Sequence, residues 1–244
     1  VTSAEQHRTA GGSRPADGAT DRGSGRVDLS VVVLVEGRSD VAAVTALLAT
    51  AGIASSGRIR LVDMGGVTNI RRHLEVFTDP DRARRVLGMC DADEERVVAR
   101  ALGGAGVPVG GREAMSRYGF HVCDADLEDE LIRTVGPEKV SDILTGLGLA
   151  RRFDRFTRQL AWRDADLHSR LHRFAGIASG RKVQMARAMA AAIPWVDLRP
   201  PLRDLVVQIS AALSDDESLP LQPFSDRDRL HGLHLPYQDA GTSP

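Results

Sequence analysis

Seven carboxylates stand just beyond the ends of three apolar stretches. Glu36 follows Val31 to Val35, and Asp40 comes four residues later. Asp91 and Asp93 follow the stretch that ends at Cys90, and Asp124, Asp126 and Glu128 follow the one that ends at Cys123. Left bare on one rim, such groups repel one another and their pKa values rise. A divalent cation is the usual resolution. An all-oxygen, carboxylate-rich set suits Mg²⁺ or Mn²⁺ rather than zinc. Two such ions about 4 Å apart activate a water and stabilise a leaving oxygen in phosphodiester cleavage. Any one of these acids could equally cap a helix N-terminus. Capping explains the whole set at three strand ends less well.

The elements that must position them alternate. Ser30 to Val35 reads as a strand covered on both faces. Ser39 is a candidate N-cap, with a helix over 40–51 closed by Gly52. A strand is expected over 58–64, a helix over 69–77, a strand over 85–90 and a helix over 94–102. A Gly-rich loop follows over 103–111, then a strand over 120–123 and a helix over 127–135, stopped by Gly136-Pro137. This order predicts an α/β fold with a central parallel four-stranded sheet flanked by helices. In such sheets ligands bind beyond the carboxyl ends of the strands, which is where the acids fall. Beyond Pro137 only helical spacing remains, over 138–147, 153–162, 167–174, 181–193 and 202–213, so a helical extension is expected.

The chain of 244 residues has a net charge of -1 and two cysteines. Those two are too few for a disulfide scaffold or a Cys-only zinc site. No apolar run approaches the roughly 18 residues of a membrane span. The N-terminal stretch lacks the apolar core of a secretory signal. A cytoplasmic protein with no membrane partner is therefore expected. Residues 1–28 lack apolar periodicity and are expected to form a disordered tail. The α/β domain is expected over 29–136, the helical extension completing it over 137–213, and an extended tail over 214–244.

Glu36-Gly37 after one apolar strand and Asp91-Ala92-Asp93 after another resemble the TOPRIM domain of topoisomerases, bacterial primases and the overcoming-lysogenization-defect (OLD) nucleases. The resemblance is closest to the OLD group and its short actinobacterial form, and covers roughly residues 29–193. It is carried further by Met64-Gly65-Gly66-Val67-Thr68-Asn69-Ile70, by 123–132 with Asp126 and Glu128, and by Gly180-Arg181-Lys182. It implies a TOPRIM-like Rossmannoid domain and a nuclease that cleaves DNA with two Mg²⁺ or Mn²⁺ ions. Glu36, Asp40, Asp91, Asp93, Asp126 and Glu128 would form the metal site, with Glu36 and Lys182 as catalytic groups. Lys182 would stabilise charge on the pentavalent phosphate. Full-length OLD proteins carry an ATPase domain with a GxxxxGK[ST] loop, which this sequence lacks. An ATP requirement is therefore not inherited, and a separate ATPase partner and a homodimer stay open. The topoisomerase Tyr domain and the primase zinc module have no counterpart here. The alternative is a catalytically silent TOPRIM module that binds nucleic acid or a repair or ATPase partner. An aspartyl phosphatase built on Asp91-Ala92-Asp93 ranks below both, because Glu94 and Glu95 follow.

Gly65, Gly66 and Asn69 lie at a Gly turn into a helix N-terminus, a phosphate-binding arrangement that is more often a plain tight turn. Between Arg151 and Arg187 basic residues outnumber acids, and Arg151, Arg155, Arg158 and Arg181 are candidate nucleic-acid contacts, with DNA the expected partner and RNA not excluded. Cys90 and Cys123 read as small buried strand residues. His168 and His172 read as surface histidines, and Trp162 and Trp195 as packing anchors.

Overall fold

The computed structural model describes residues 29–53, 57–78, 83 and 85–214. The tails expected at 1–28 and 214–244 lie outside these residues, apart from Ser214, which ends the last helix. Four strands form one all-parallel sheet: β1 (Val31–Val35), β2 (Ile59–Asp63), β3 (Arg85–Cys90) and β4 (Phe120–Val122), in the order β2-β1-β3-β4. β1 sits inside, with Val31 opposite Ile59 on one side and Arg85 on the other.

Every residue of β1 is buried. Successive side chains on a strand point to opposite faces, so this run feeds two cores. Val31, Val33 and Val35 join α1 (Arg38–Thr50), α5 (Leu127–Val135), α6 (Pro137–Gly146), α7 (Ala150–Thr157), α8 (Leu167–Gly176), α9 (Ser179–Ala191) and α10 (Leu202–Ser214). Val32 and Leu34 pack against α2 (Ile70–Phe77), α3 (Glu95–Gly104) and α4 (Arg112–Arg117). The helices beyond Pro137 thus share the core of one sheet face, and α9 lies along α1.

Three local differences from the expected elements have physical causes. α1 is capped by Gly37 in extended backbone rather than by Ser39, which lies inside the helix. The Asp40 carboxylate accepts the Gly37 N–H at 2.8 Å and does the work of a cap from within the first turn. α4 is an addition to the expected elements: at six residues it is too short to show a period. Residues 92–94 form a 3-10 turn ahead of α3, in place of continuous α-helix from Glu94.

Gly88 is required in β3 by close approach. A Cβ there would lie 2.6 Å from the Phe120 ring and 3.2 Å from the Leu34 carbonyl oxygen. Cys90 and Cys123 are both buried but belong to cores on opposite faces of the sheet.

Candidate active site

Backbone hydrogen bonds tie the strand ends into one rim. The Gly66 N–H donates to the Glu36 carbonyl at 3.0 Å, fastening the turn after β2 to the end of β1. The Ala92 N–H donates to the Ala125 carbonyl at 2.8 Å, fastening the turn after β3 to the turn after β4. These bonds bring Glu36, Asp40, Asp91, Asp126 and Glu128 into one another's electrostatic reach.

The consequence shows in the titration of the group at the centre. Burial, then the charges of Asp126, Asp40, Glu36 and Glu128, push Asp91 up to about 7. Burial does the same to Glu128, against the pull of Lys182, and it too reaches about 7. Asp40, only 8% exposed, is raised by burial despite the Gly37 N–H and Lys182. Asp126 goes the other way. Burial alone would raise it, but hydrogen bonds from His172 and the Asp129 N–H hold it below its ordinary value.

Lys182 reaches this pocket from the first turns of α9. Its Nζ lies 3.1 Å from Glu128 Oε2, and Glu128 is almost wholly buried. Burial would lower the Lys182 pKa, but Glu128, Asp40 and Asp91 together raise it, so the ammonium is retained. The resemblance singles out this lysine, and the fold brings it to the acids.

Asp93 is not brought in. It is exposed, and it is not among the leading influences on Asp91, Asp40 or Glu128. Glu94 faces the acids instead: burial and a hydrogen bond and repulsion with Glu36 push it up to about 7. The 3-10 turn explains the exchange. Across it Asp93 stays exposed, while Glu94 turns towards Glu36 and Asp40. Reading the Asp91-to-Glu94 interval as a tight turn would have found it.

Asp124 stays outside, 67% exposed, held by Arg112 at 3.5 Å and Arg133 at 3.0 Å. Glu130 is buried beneath it, accepts the Asp124 N–H at 2.8 Å and pairs with Arg133. Both build the turn after β4.

The donors of the Gly turn already have partners. Gly65 and Gly66 have φ of +66° and +110°, which glycine allows without strain. The Gly65 N–H donates to Asp63, and the Asn69 side-chain amide to the carbonyls of Met64 and Gly65. With the Gly66 N–H on the Glu36 carbonyl, the donors expected to meet phosphate are engaged within the turn or at the end of β1.

His168 and His172 are not idle surface groups. His172 Nε2 lies 2.6 Å from Asp126 Oδ2, and His168 Nε2 lies 2.6 Å from Asp129 Oδ1. A histidine pair at i, i+4 facing two acids at i, i+3 is the sequence signal for this arrangement.

Arg151 and Arg155 on α7, and Arg158 at its C-cap, are exposed around the buried Phe153 and Phe156. Arg181 is not free in the same way. Its guanidinium stacks 3.9 Å over the Phe174 ring and donates to the Phe174 carbonyl.

The donor chemistry fits a hard divalent cation. The side chains are oxygen donors, and buried Glu94 Oε2 and Glu128 Oε1 have no hydrogen-bond partner. Among the described residues, however, no three His, Cys, Asp or Glu side chains are placed so that they could hold a metal ion as they stand. The carboxylates share a pocket and a field rather than a preset coordination shell.

Solved structures of two other proteins share this architecture. The C-terminal region of the Xanthomonas campestris pv. campestris OLD protein aligns with a TM-score of 0.54 at 21% identity, over 77% of this chain and 98% of that one. The C-terminal region of the Burkholderia pseudomallei OLD protein aligns with a TM-score of 0.54 at 17% identity, over 76% and 98%. The fold is that of the OLD C-terminal region. No family model and no curated protein matches the sequence. Among the described residues no helix is long and apolar enough to cross a membrane.

Proposed function

We propose that this protein is a divalent-metal-dependent nuclease that hydrolyses phosphodiester bonds in DNA. One observation carries the reading: carboxyls from the ends of β1, β3 and β4 crowd a single pocket, where Asp91, Glu94 and Glu128 are pushed up to about 7. An arrangement that raises its own protons' affinity is one a cation would relieve. Glu36, Asp40, Asp91, Asp126 and Glu128 would hold Mg²⁺ or Mn²⁺, with Glu94 beside them. When bound, two such ions supply Lewis acidity and an activated water. The chain's own part is to orient and to compensate charge. Lys182, already cationic and aimed into the pocket, stabilises the negative charge that builds on the phosphate oxygens. The exposed arginines of α7 supply a phosphate-tracking surface.

The fold neighbours are C-terminal regions of OLD proteins, the group whose nucleases the sequence motifs resemble, which supports this reading. A second reading has its own observation. Lys182 neutralises Glu128 without metal, and no finished three-donor site is present among the described residues. A silent module that binds nucleic acid would look the same.

Incubation of the purified chain with plasmid, linear and single-stranded DNA in Mn²⁺ separates the two. The nuclease reading expects cleavage that vanishes in Asp91→Asn and in excess chelator. Binding without cleavage of any substrate would favour the silent module.

A further inference from the structure

We propose that His172 is a positioning residue: by holding Asp126 Oδ2 it fixes the carboxylate that α5 presents to the cation pocket. His168, one turn earlier on α8, serves only to fasten the two helices. The inference rests on the cation reading above.

The two hydrogen bonds form a matched pair. Both join α8 to the first turn of α5, both run from a histidine Nε2 to an aspartate oxygen, and both measure 2.6 Å. An ionised carboxylate has only acceptors, so each histidine donates. Bonds this short to a carboxylate are charge-assisted and orienting.

Their consequences differ because the two aspartates face different surroundings. Asp126 is the largest charge acting on Asp91 and also acts on Glu128. Asp129 is not among the leading influences on Asp91, Asp40, Glu94 or Glu128, and its other oxygen lies 3.8 Å from Arg133.

Asp126 is held at both ends. Its Oδ1 accepts the Asp129 N–H at 2.8 Å as the N-cap of α5, and its Oδ2 accepts from His172. With one oxygen pinned, a carboxylate can still swing about the Cβ–Cγ bond. With both pinned its plane is fixed, and each oxygen keeps a second lone pair for a ligand. Outer partners of this kind orient the groups that touch a metal, and their loss costs about 10–100-fold in affinity. His172 is thus a second route, besides Lys182, by which the helices beyond Pro137 reach the pocket.

The internal control makes the test decisive. His172→Ala and His168→Ala each remove one α5–α8 bond of equal length, so a purely structural role predicts equal effects. Mn²⁺ binding to the full chain is measured by the electron paramagnetic resonance of the free ion, alongside the melting temperature. The proposal expects similar small losses in melting temperature for both variants. It expects Mn²⁺ affinity to fall about tenfold or more in His172→Ala, against less than about twofold in His168→Ala. Equal loss of affinity in both, or loss in neither, overturns the positioning role while leaving the cation reading standing. Failure of the unaltered chain to bind Mn²⁺ at millimolar concentration overturns both.

Discussion

Lys182 Nζ stands 3.1 Å from Glu128 Oε2, so an ammonium from α9 is the resident counter-ion of a carboxylate on the first turn of α5. Glu128 is 3% exposed and the Lys182 side chain 35%. The pair joins the α/β unit to the helices that follow it, and it keeps a buried acid from standing alone among like charges.

Removing the lysine should therefore cost stability as well as activity. Lys182→Met is expected to destabilise the chain by about 1–3 kcal/mol at pH 8, less than a fully buried pair would lose because solvent screens the lysine. The loss should shrink at pH 5, where Glu128 carries its own proton. Denaturant melts at both pH values measure it. An equal loss at pH 5 and pH 8 would mean that the lysine matters through its methylenes alone.

The acids set a pH dependence whose sign follows from their shifts. Asp91, Glu94 and Glu128 are raised to about 7 in the fold from ordinary values near 4. The folded state therefore holds protons that the unfolded chain gives up. Their contribution to stability is full below about pH 4 and is lost as the pH rises through about 7. His172, raised by Asp126, acts in the same direction, while His121, lowered by burial, acts against it. Without metal, stability should fall between pH 5 and pH 8 by roughly 2 kcal/mol or more, about 5 °C for a chain of this size. Saturating Mn²⁺ should remove most of that fall and bind more tightly as the pH rises, since it displaces the same protons. Differential scanning calorimetry checks both. A metal-free melting temperature that is flat or rising over this range contradicts the picture.

A prediction on the fold concerns Gly88. Alanine there drives a methyl into the Phe120 ring and towards the Leu34 carbonyl, in the strand that carries Asp91. Gly88→Ala should destabilise by about 1–3 kcal/mol through overpacking. Relief by a second change, Phe120→Leu, would show that the ring is the obstacle, whereas no relief would place the strain in the backbone.

The exposed arginines of α7 should act on DNA through charge. Arg155→Glu with Arg158→Glu is expected to weaken binding without changing the melting temperature by more than about 2 °C. It should also flatten the dependence of affinity on salt by about one unit of slope for each phosphate that is no longer neutralised. Fluorescence anisotropy over a range of salt measures both quantities. An unchanged slope would place the DNA path elsewhere.

The order of strands and helices is readable because β1, β3 and β4 are buried runs and the long helices keep their period. The three acidic strand ends follow from that order, since a parallel sheet collects its carboxyl ends on one rim. The shape of single turns is not readable in the same way. Asp93 has the spacing of a partner for Asp91, but across the 3-10 turn it is Glu94 that joins the acids, through Glu36 and Asp40. The glycine turn has the pattern of a phosphate cradle, but Asp63 and Asn69 close it with local side-chain bonds that periodicity cannot reveal. His168 and His172 read as surface groups because their partners lie 39 and 46 residues away in the chain, a distance bridged only by the packing of α8 on α5.

A divalent cation held among the carboxylates of the pocket underlies the proposed function. Anomalous diffraction from a crystal soaked in Mn²⁺ tests it most directly. Anomalous density is expected among Glu36, Asp40, Asp91, Asp126 and Glu128, with Lys182 at its edge. Saturating Mn²⁺ that leaves no density between these carboxylates would contradict it.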